Sequence, residues 1–570
     1  MVNNNSSDLS SSLHNDNKNQ TYNLTNELRQ FAVRNKVPHS TITDLLHVLH
    51  PIHPELPLHA KTLLKTSRTT FAKKQLNNGE YIHFGIKSYL KLFLTKNPFH
   101  TNLIKMSFNI DGIPLFKSSS TTFWPILGLI INLQGIKQKP FAIGVFCGTS
   151  KPAPLSSFLE DFISELSELC TKSHGGYSSC DKCTVEGEYI NRRVVLDSTS
   201  APRRTDESFS LQIDEGHHTG ISPLTQLNIG MVSLFPIDYM HSVCLGVMKK
   251  LLTSWVSGYP IHVRLDSRSV NSISTQLKHL GLFVPYEFNR KPRSLSELPR
   301  YKATEFRTFL LYTGPIVLNK IIDVALYEHF MLLHVAATVL LSKRHLSNLG
   351  CDFVQTLMNK FIKYCKLTYG LEYLVYNVHT LTHLSEEANI YGPLDTVSAF
   401  PFENYLGEMK RFIRSPNKPL EQLCQRLKEA NDEFINAKDL TLLYSIQHFD
   451  GPLIENYFNC KQYKKLFSNN LLYVVKSFSN KNSYCLTKNY KVMQISNIVV
   501  DNNNNIFFIG NKFLSYQPLF DYPCNSQDLN IYRISSLSSD LEGIAFNNIV
   551  TKCMLFVDAN ETWACFPLLH

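Results

Sequence analysis

The sequence lacks the features that would place it in a membrane or in a secreted fluid. No apolar run reaches the roughly 18 residues of a transmembrane helix, and the nearest, "FWPILGLIINL" at residues 123–133, is too short. The first twenty residues contain no basic segment followed by an apolar one, as a secretory signal would. We therefore expect a soluble intracellular protein whose 13 cysteines are reduced thiols.

Two common catalytic signatures are also missing. The chain has no Gly-x-Ser-x-Gly nucleophile elbow and no Gly-x-x-x-x-Gly-Lys-Ser/Thr phosphate loop. These absences argue against a serine hydrolase and against a P-loop nucleotide-binding enzyme. The charge is mildly basic, with 57 Lys and Arg against 47 Asp and Glu. That excess permits a nucleic-acid partner but does not require one.

Composition and hydrophobic periodicity divide the chain into segments. We predict a disordered tail at 1–20, a small helical module at 21–75, the first part of an α+β core at 95–240, helices at 241–385 and 386–440, and a β-rich domain at 465–570. The last domain should be a small barrel or curled sheet, because short alternating runs are separated by Asn- and Gly-containing turns.

The α+β core is predicted from three strand-like runs followed by a helix. The runs lie at 103–111, 122–133 and 140–148, and an amphipathic helical pattern follows at 155–170. This order of elements opens an RNase H-like fold, but it opens other α+β folds as well.

A Cys-x-x-Cys pair, Cys180 and Cys183, follows that helix. A structural zinc ion takes four ligands, and the second cysteine pair that would supply the other two is absent. The nearest histidines are His174 upstream and His217 and His218 downstream. We predict a zinc site formed by the two cysteines with one or two of these histidines.

Three acidic residues stand where catalytic carboxylates often do. Asp111 ends a strand-like run before Gly112, Asp238 lies three residues before His241, and Glu403 begins a predicted helix. Each also has a plain structural explanation: a turn aspartate, an aspartate followed by a packed histidine, and a first-turn glutamate favoured by the helix dipole.

Two basic stretches are candidate contacts for nucleic acid. Lys410, Arg411 and Arg414 form a stripe after Glu403, and "AKTLLKTSRTTFAKK" at residues 60–74 closes the helical module. The second stretch is equally compatible with a solvated basic linker.

Four segments in fixed order resemble a known family. They are "DGIPLFKSSSTTFWPILGLI" (111–130), "GGYSSCDKC" (175–183), "FPIDYMHSVCLGV" (235–247) and "GPLDTVSAFPFENYLGEMKRFIR" (392–414). Together they resemble animal transposase-like proteins related to the CACTA (En/Spm) transposases. The resemblance covers roughly residues 100 to 430.

That resemblance implies a DDE/D nuclease with an RNase H-like core and a large helical insertion before its last acid. Asp111 matches the first catalytic acid and Glu403, 292 positions later, matches the third. Asp238 and His241 match the auxiliary Asp-x-x-His of the family. Two Mg²⁺ or Mn²⁺ ions would be the cofactors, DNA the partner, a homo-oligomer the assembly and the nucleus the location.

The chain departs from the family pattern at one point. The family places a fourth strand, with the second catalytic acid, between the helix at 155–170 and the cysteine pair, and no apolar run fits there. Asp161 lies inside the helix and Asp181 inside the knuckle, so neither is a plausible replacement. We therefore expect a protein of this sequence to be inactive as a transposase. An exon omitted from the gene prediction would produce the same sequence.

Two other functions remain compatible with the sequence. The chain would serve as a host-retained, non-catalytic DNA- or protein-binding protein of transposase ancestry if its DNA contacts outlived its chemistry. Alternatively, it would be a protein-interaction protein without any nucleic-acid partner, which the mild basic excess permits.

Overall fold

The computed structural model describes residues 23–66, 71–96, 103–132, 139–167, 180–218, 222–227, 229–434, 442–468, 470–557 and 562–569. The chain divides into two compact units, one drawn from 1–71 and 409–437 and the other from 72–408 and 438–570. Helix and strand are mixed, in agreement with the predicted α+β class. Within the described ranges, no helix is long and apolar enough to cross a membrane. The predicted tail at 1–20 lies outside these ranges.

The smaller unit is helical. Its first helices are α1 (Leu24–Arg34), α2 (His39–Leu49) and α3 (Ala60–Leu63). The side-chain oxygen of Asn23 accepts a hydrogen bond from the Asn26 amide at 3.0 Å and caps the start of α1. A small apolar core joins the helices, with Ala32, Ile42, Leu46, Leu56, Ala60, Leu63 and Leu64 buried.

The larger unit begins with an antiparallel sheet. Its elements are β1 (Lys74–Leu76), β2 (Gly79–His83), α4 (Ile86–Lys96), β3 (Met106–Ile110), β4 (Ile113–Pro114), β5 (Thr122–Ile130) and β6 (Phe141–Gly148). The strand order is β1-β2-β6-β5-β3, and β4 pairs with β5. Helix α5 (Leu155–Ser167) follows β6.

The three predicted strands and the predicted helix are present as β3, β5, β6 and α5. The apolar stripe of α5 packs on the sheet, where Phe158 and Phe162 join Ile143 and Phe146 in one core. Strand β3 stands at the edge of the sheet and, among the described residues, pairs with β5 alone. We predicted that the fourth strand of the family is absent from this chain at residues 168–179, and these residues lie outside the described ranges.

A helical region follows a short hairpin. The hairpin is β7 (Glu188–Ile190) with β8 (Arg193–Val195), and α6 (Asp206–Ser210) comes next. A π-helix, Met240–Met248, precedes the longer run. That run comprises α7 (Lys249–Val256), α8 (Ser267–Leu280), α9 (Ala303–Thr308), α10 (Gly314–Val317), α11 (Val324–Leu340), α12 (Lys343–Tyr369), α13 (Tyr376–His379), α14 (Leu384–Tyr391), α15 (Phe400–Phe412) and α16 (Pro419–Phe434).

Helix α11 is the centre of the helical region, because 13 of its 17 residues are buried. A helix that is apolar on every side belongs inside a core rather than at a surface. Trp255 of α7, Phe330 of α11 and Phe361 of α12 are all fully buried there. Helix α12 changes direction at Gly350, whose φ of 81° is one that residues with a Cβ rarely adopt.

The C-terminal domain is all-β, as predicted. Its strands are β9 (Leu442–His448), β10 (Lys461–Ser468), β11 (Leu471–Val474), β12 (Tyr484–Thr487), β13 (Val492–Val500), β14 (Ile506–Pro518), β15 (Tyr532–Leu537), β16 (Glu542–Ala545), β17 (Ile549–Val557) and β18 (Trp563–Pro567). The order β13-β12-β17-β18-β15-β14, with β14 paired back to β13, closes a ring of six antiparallel strands. The sheet begins at Leu442 rather than at 465, because β9 pairs along the whole of β10.

Candidate functional site

Four buried side chains form a compact group in the larger unit: Cys180, Cys183, His379 and His383. Their ligand atoms all lie within 4.8 Å of one another. Sγ of Cys180 is 3.2 Å from Nε2 of His383, and Sγ of Cys183 is 3.2 Å from Nε2 of His379. The group is a Cys₂His₂ set that could hold a metal ion such as Zn²⁺.

The local fold explains why these four side chains converge. Cys180 and Cys183 lie on the turn before β7, where Cys183 forms an isolated antiparallel bridge with Arg203. His379 ends α13 and His383 stands just before α14, with a 3₁₀ turn between them. Because residues four apart share one face of a helical path, both imidazoles point toward the same cysteine turn.

The separation of the two histidine nitrogens fits tetrahedral coordination. In a tetrahedral zinc site with Zn–N bonds of about 2.0–2.1 Å, two ligand nitrogens lie about 3.3–3.4 Å apart. The two Nε2 atoms of His379 and His383 are 3.3 Å apart. Nδ1 of His379 is buried and has no hydrogen-bond partner among the described residues, so the polar contacts of this imidazole are made through Nε2. The guanidinium of Arg203 lies against Nδ1 of His383 and also pairs with Glu386 at 2.9 Å.

The electrostatics favour one thiolate in the group. Hydrogen bonds from Cys180, His379 and His383 lower the pKa of Cys183 below its usual value, against the opposing effect of burial. Burial lowers the pKa of His383 below its usual value, and Arg203 adds to that shift. A thiolate beside neutral imidazoles is the protonation state in which these side chains bind a divalent ion.

The cysteines of the predicted zinc site are therefore in the group, but its histidines come from elsewhere. His217 and His218 lie near Phe209, with ring centroids 5.9 Å and 4.6 Å from the phenyl ring. They are not members of the Cys₂His₂ group. His174 lies outside the described residues.

Asp111 lies directly after β3, as predicted. Its Oδ1 accepts a hydrogen bond from the Gly112 amide at 2.7 Å. A Cβ on Gly112 would come within 2.6 Å of the Trp124 ring, so the absence of a side chain lets the indole pack there. The strand end and the indole together fix the position of the Asp111 carboxylate.

Asp238 and His241 form a pair at the start of the π-helix. Nδ1 of His241 lies 2.5 Å from Oδ2 of Asp238, and the backbone amides of Met240 and His241 donate to the same carboxylate at 3.1 Å and 3.0 Å. The Ala399 amide, 161 residues later, also donates to Oδ1 at 2.8 Å. Burial opposes ionisation, but these hydrogen bonds hold the pKa of Asp238 below its usual value.

Glu403 lies in the first turn of α15 with an exposed side chain. The hydrogen bond that His241 donates to Asp238 raises the pKa of His241 above its usual value. Burial works against the rise, and the carboxylates of Asp111 and Glu403 add to it. The charges of the three predicted acids, Asp111, Asp238 and Glu403, thus all act on His241. Their ligand atoms do not form a compact set like that of the cysteine–histidine group.

The predicted basic stripe lies at the far end of α15. Lys410 and Arg411 occupy its last turn with exposed side chains. Arg414 donates a hydrogen bond to the backbone carbonyl of Lys36 at 2.9 Å within the smaller unit. At least one of the three side chains therefore serves the protein's own packing.

Sequence reasoning missed His379 and His383 although a signal was present. The segment "VHTLTHL" at residues 378–384 contains a His-x-x-x-His spacing, which is a common spacing for the histidine half of a zinc site. It lies 196 residues after Cys183, so proximity in the sequence favoured His217 and His218 instead.

Comparison with known proteins bears only on the C-terminal domain. Residues 447–568 match the family model described as a domain of unknown function, DUF8592. Searches of curated proteins and of solved structures gave no significant match. The match marks the all-β domain as a recurring module and assigns no chemistry to it.

Proposed function

We propose that this chain is a transposon-derived protein of the DDE/D transposase type that has kept its DNA-binding architecture and lost DNA cleavage. The order of elements supports the proposal: three antiparallel strands, β3, β5 and β6, precede a helix packed on the sheet, as in an RNase H-like core. A long helical region then separates the first acid from the last. The protein would act in the nucleus on DNA, as a homo-oligomer.

One observation carries the proposal. Asp111 and Glu403 lie 292 positions apart in the sequence, yet both carboxylates raise the pKa of the same imidazole, that of His241. Charge–charge effects of this kind weaken with distance, and salt screens them beyond roughly 8–10 Å between exposed groups. Two acids supplied by a strand end and by a later helix, both acting on one histidine, support the resemblance to CACTA-type transposases.

The metal chemistry of such enzymes does not fit the residues present. Two Mg²⁺ or Mn²⁺ ions, when bound, activate a water and then a 3′-hydroxyl for attack on phosphodiesters, and they need a set of converging carboxylates. Asp111 and Glu403 match the first and third of these acids, and the segment where the family has the second, residues 168–179, lies outside the described ranges. We therefore derive no cleavage step for this chain.

A Mn²⁺-binding experiment tests the proposal. With the Cys₂His₂ group loaded with zinc, we expect weak Mn²⁺ binding by electron paramagnetic resonance that falls in Asp111→Asn and in Glu403→Gln. Glu455→Gln, which removes an exposed carboxylate from the all-β domain, is the matched control and should bind as the parent does. Equal Mn²⁺ binding by all four proteins would contradict the DDE/D assignment.

A plasmid assay tests the loss of cleavage separately. The parent protein should nick supercoiled plasmid with Mg²⁺ or Mn²⁺ no faster than Asp111→Asn does. If the parent nicks and the variant does not, the chain is an active nuclease and the second half of the proposal is wrong.

The metal of the Cys₂His₂ group is proposed to be zinc in a structural role. Thiolate and imidazole ligands suit Zn²⁺, and four protein ligands leave no coordination position for a water or a substrate. The complete burial of all four residues fits an ion that joins segments rather than one that meets a ligand.

A specific observation favours non-catalytic DNA binding by the all-β domain as a second function. Residues 461–491 contain seven lysines and no Asp or Glu: Lys461, Lys464, Lys465, Lys476, Lys481, Lys488 and Lys491. Exposed aromatic rings accompany them, with Phe478 51% exposed and Tyr490 46% exposed. Lysines interleaved with aromatic rings are typical of surfaces that bind the nucleic-acid backbone and stack bases.

A further inference from the structure

A buried lysine lies inside the cysteine knuckle. Lys182 stands between Cys180 and Cys183, and its backbone amide is 3.4 Å from Sγ of Cys180. Its ammonium group is 2.6 Å from Oε1 of Glu387 and donates to the backbone carbonyl of Val232 at 3.1 Å. Only 9% of the Lys182 side chain and 3% of the Glu387 side chain are exposed. This ion pair is therefore shielded from water and from salt.

Glu387 belongs to the same helical face as the metal-binding histidines. It lies four residues after His383, which itself lies four residues after His379. The second carboxylate oxygen of Glu387 accepts a hydrogen bond from the backbone amide of Ile237 at 3.0 Å. One glutamate thus touches the lysine of the knuckle on one side and the segment before the Asp238–His241 pair on the other.

The contact continues from Ile237 to α15. Ile237 is followed directly by Asp238, whose carboxylate accepts the Ala399 amide at 2.8 Å. The carbonyl of Ala399 in turn accepts the backbone amide of Glu403 at 2.9 Å. A chain of direct polar contacts therefore runs from the knuckle through Glu387, Ile237, Asp238 and Ala399 to Glu403.

We propose that metal binding at the Cys₂His₂ group positions the acidic neighbourhood of Asp238, His241 and Glu403 through the Lys182–Glu387 ion pair. Lys182 is flanked on both sides by ligands, so the metal fixes the backbone that carries its ammonium group. His383 fixes the helix that carries Glu387. Metal binding therefore sets the relative position of the two charges, and Glu387 is a positioning residue for the segment at 237–241.

Loss of the metal should displace Glu387 together with the knuckle rather than the knuckle alone. A buried charge left without its partner is strongly destabilising. When the metal leaves and the knuckle moves, Glu387 must either follow Lys182 or expose its carboxylate to water. Either movement breaks the hydrogen bond from Ile237. The coupling rests on the zinc binding proposed above, but it does not depend on DNA cleavage.

Hydrogen exchange read by mass spectrometry tests the coupling. Removal of zinc from the full chain with a chelator should speed exchange in peptides covering 237–241 and 399–403, on the order of tenfold or more. Peptides from β13 should not respond, because that strand lies inside the closed ring of the all-β domain. Unchanged exchange at 237–241 and 399–403 after zinc removal would overturn the proposal.

A pair of adjacent substitutions keeps the test decisive if the zinc-free chain unfolds. Glu387→Gln removes the buried charge, and Glu386→Gln, the matched control, removes the neighbouring exposed one that pairs with Arg203. Both variants should hold zinc. Exchange at 237–241 and 399–403 should be faster in zinc-loaded Glu387→Gln and unchanged in Glu386→Gln. Identical exchange in the two zinc-loaded variants would show that Glu387 does not transmit the effect.

Discussion

The sequence and the structure assign different histidines to the metal centre, and single substitutions distinguish the two assignments. We expect the purified chain to hold one zinc ion, and His379→Gln or His383→Gln to lose affinity because a direct ligand is removed. The loss should exceed the roughly 10–100-fold typical of removing an outer-shell partner. His217→Gln and His218→Gln should bind zinc as the parent does, since both rings lie near Phe209 instead. Competition with a chromogenic chelator measures all five proteins.

The opposite order of zinc affinities among the variants would show that the histidines nearest in sequence are the ligands. If His217→Gln or His218→Gln weakened zinc binding while His383→Gln did not, the Cys₂His₂ group would be an accidental cluster. Circular dichroism of each variant controls for loss of the fold.

The protonation of His241 reports on the acidic neighbourhood. Its pKa is raised by Asp238, against burial, and further by Asp111 and Glu403. Because the folded-state pKa is raised, the pair contributes stability that is fully present below about pH 6.5 and is lost as the pH rises through the folded value. A histidine NMR titration without divalent ions should show the largest fall in the pKa of His241 in Asp238→Asn and smaller falls in Asp111→Asn and Glu403→Gln.

Glu455→Gln provides the control for that titration, because its carboxylate lies in the all-β domain. If Asp111→Asn and Glu403→Gln leave the pKa of His241 where it was, the two acids do not share a neighbourhood. The DDE/D proposal would then lose the observation that carries it.

Local spacing predicted one half of the metal centre and could not predict the other. Cys180 and Cys183 are separated by two residues, so their convergence on one ion is a local property. His379 and His383 meet them only because the helical region returns to the knuckle after 196 residues. Asp111, Asp238, His241 and Glu403 were found as isolated candidates, and only their order within a family pattern joined them.

At the scale of elements, a buried ion pair ties the helical region to the all-β domain. The Lys552 ammonium on β17 is 2.8 Å from Glu287, with 0% and 6% of the side chains exposed. Lys552→Met should destabilise the protein by about 3–5 kcal/mol, because it leaves the Glu287 carboxylate buried without a countercharge. The double variant Lys552→Met, Glu287→Gln should recover a large part of that loss. Guanidinium unfolding midpoints measure both.

Lys488→Met is the matched control for the ion pair, since Lys488 is an exposed lysine of the same domain. It should leave the unfolding midpoint nearly unchanged. If Lys552→Met behaves like this control, the Lys552–Glu287 pair does not join the two regions.

Apolar patterning predicted the longer elements and missed those defined by pairing. Strands β5 and β6 appeared near their true bounds because they are nearly continuous apolar runs of strand length, and helix α5 because its apolar residues follow the helical period. Strands β1 and β2 are only three and five residues long, too short for a pattern. Strand β9 takes its conformation from pairing with β10 across thirteen or more intervening positions.

At the scale of the whole molecule, the all-β domain is close to neutral, with 10 Lys and Arg against 9 Asp and Glu in residues 442–570, but its lysines cluster in one segment. The chain carries a formal net charge of +10, while residues 461–491 alone contribute seven lysines without an acid. Among the helices of the larger unit, by contrast, buried acids such as Glu305 and Glu387 pair with neighbouring basic groups. This local cluster supports the proposed DNA contact by the all-β domain.

Salt-dependent binding to duplex DNA tests that contact. Replacing Lys461, Lys465, Lys476 and Lys488 by Gln should weaken binding and reduce the slope of log affinity against log salt by up to about 3–4, because each lost phosphate contact removes roughly 0.9. The control replaces four lysines of the helical region, Lys278, Lys291, Lys343 and Lys363, and changes the net charge by the same amount. Fluorescence anisotropy over a range of salt concentrations measures both. The two variants lose the same charge and differ only in which lysines are replaced. Equal slopes in both would therefore assign DNA binding to net charge alone. A parent affinity that does not vary with salt would exclude a phosphate-binding surface.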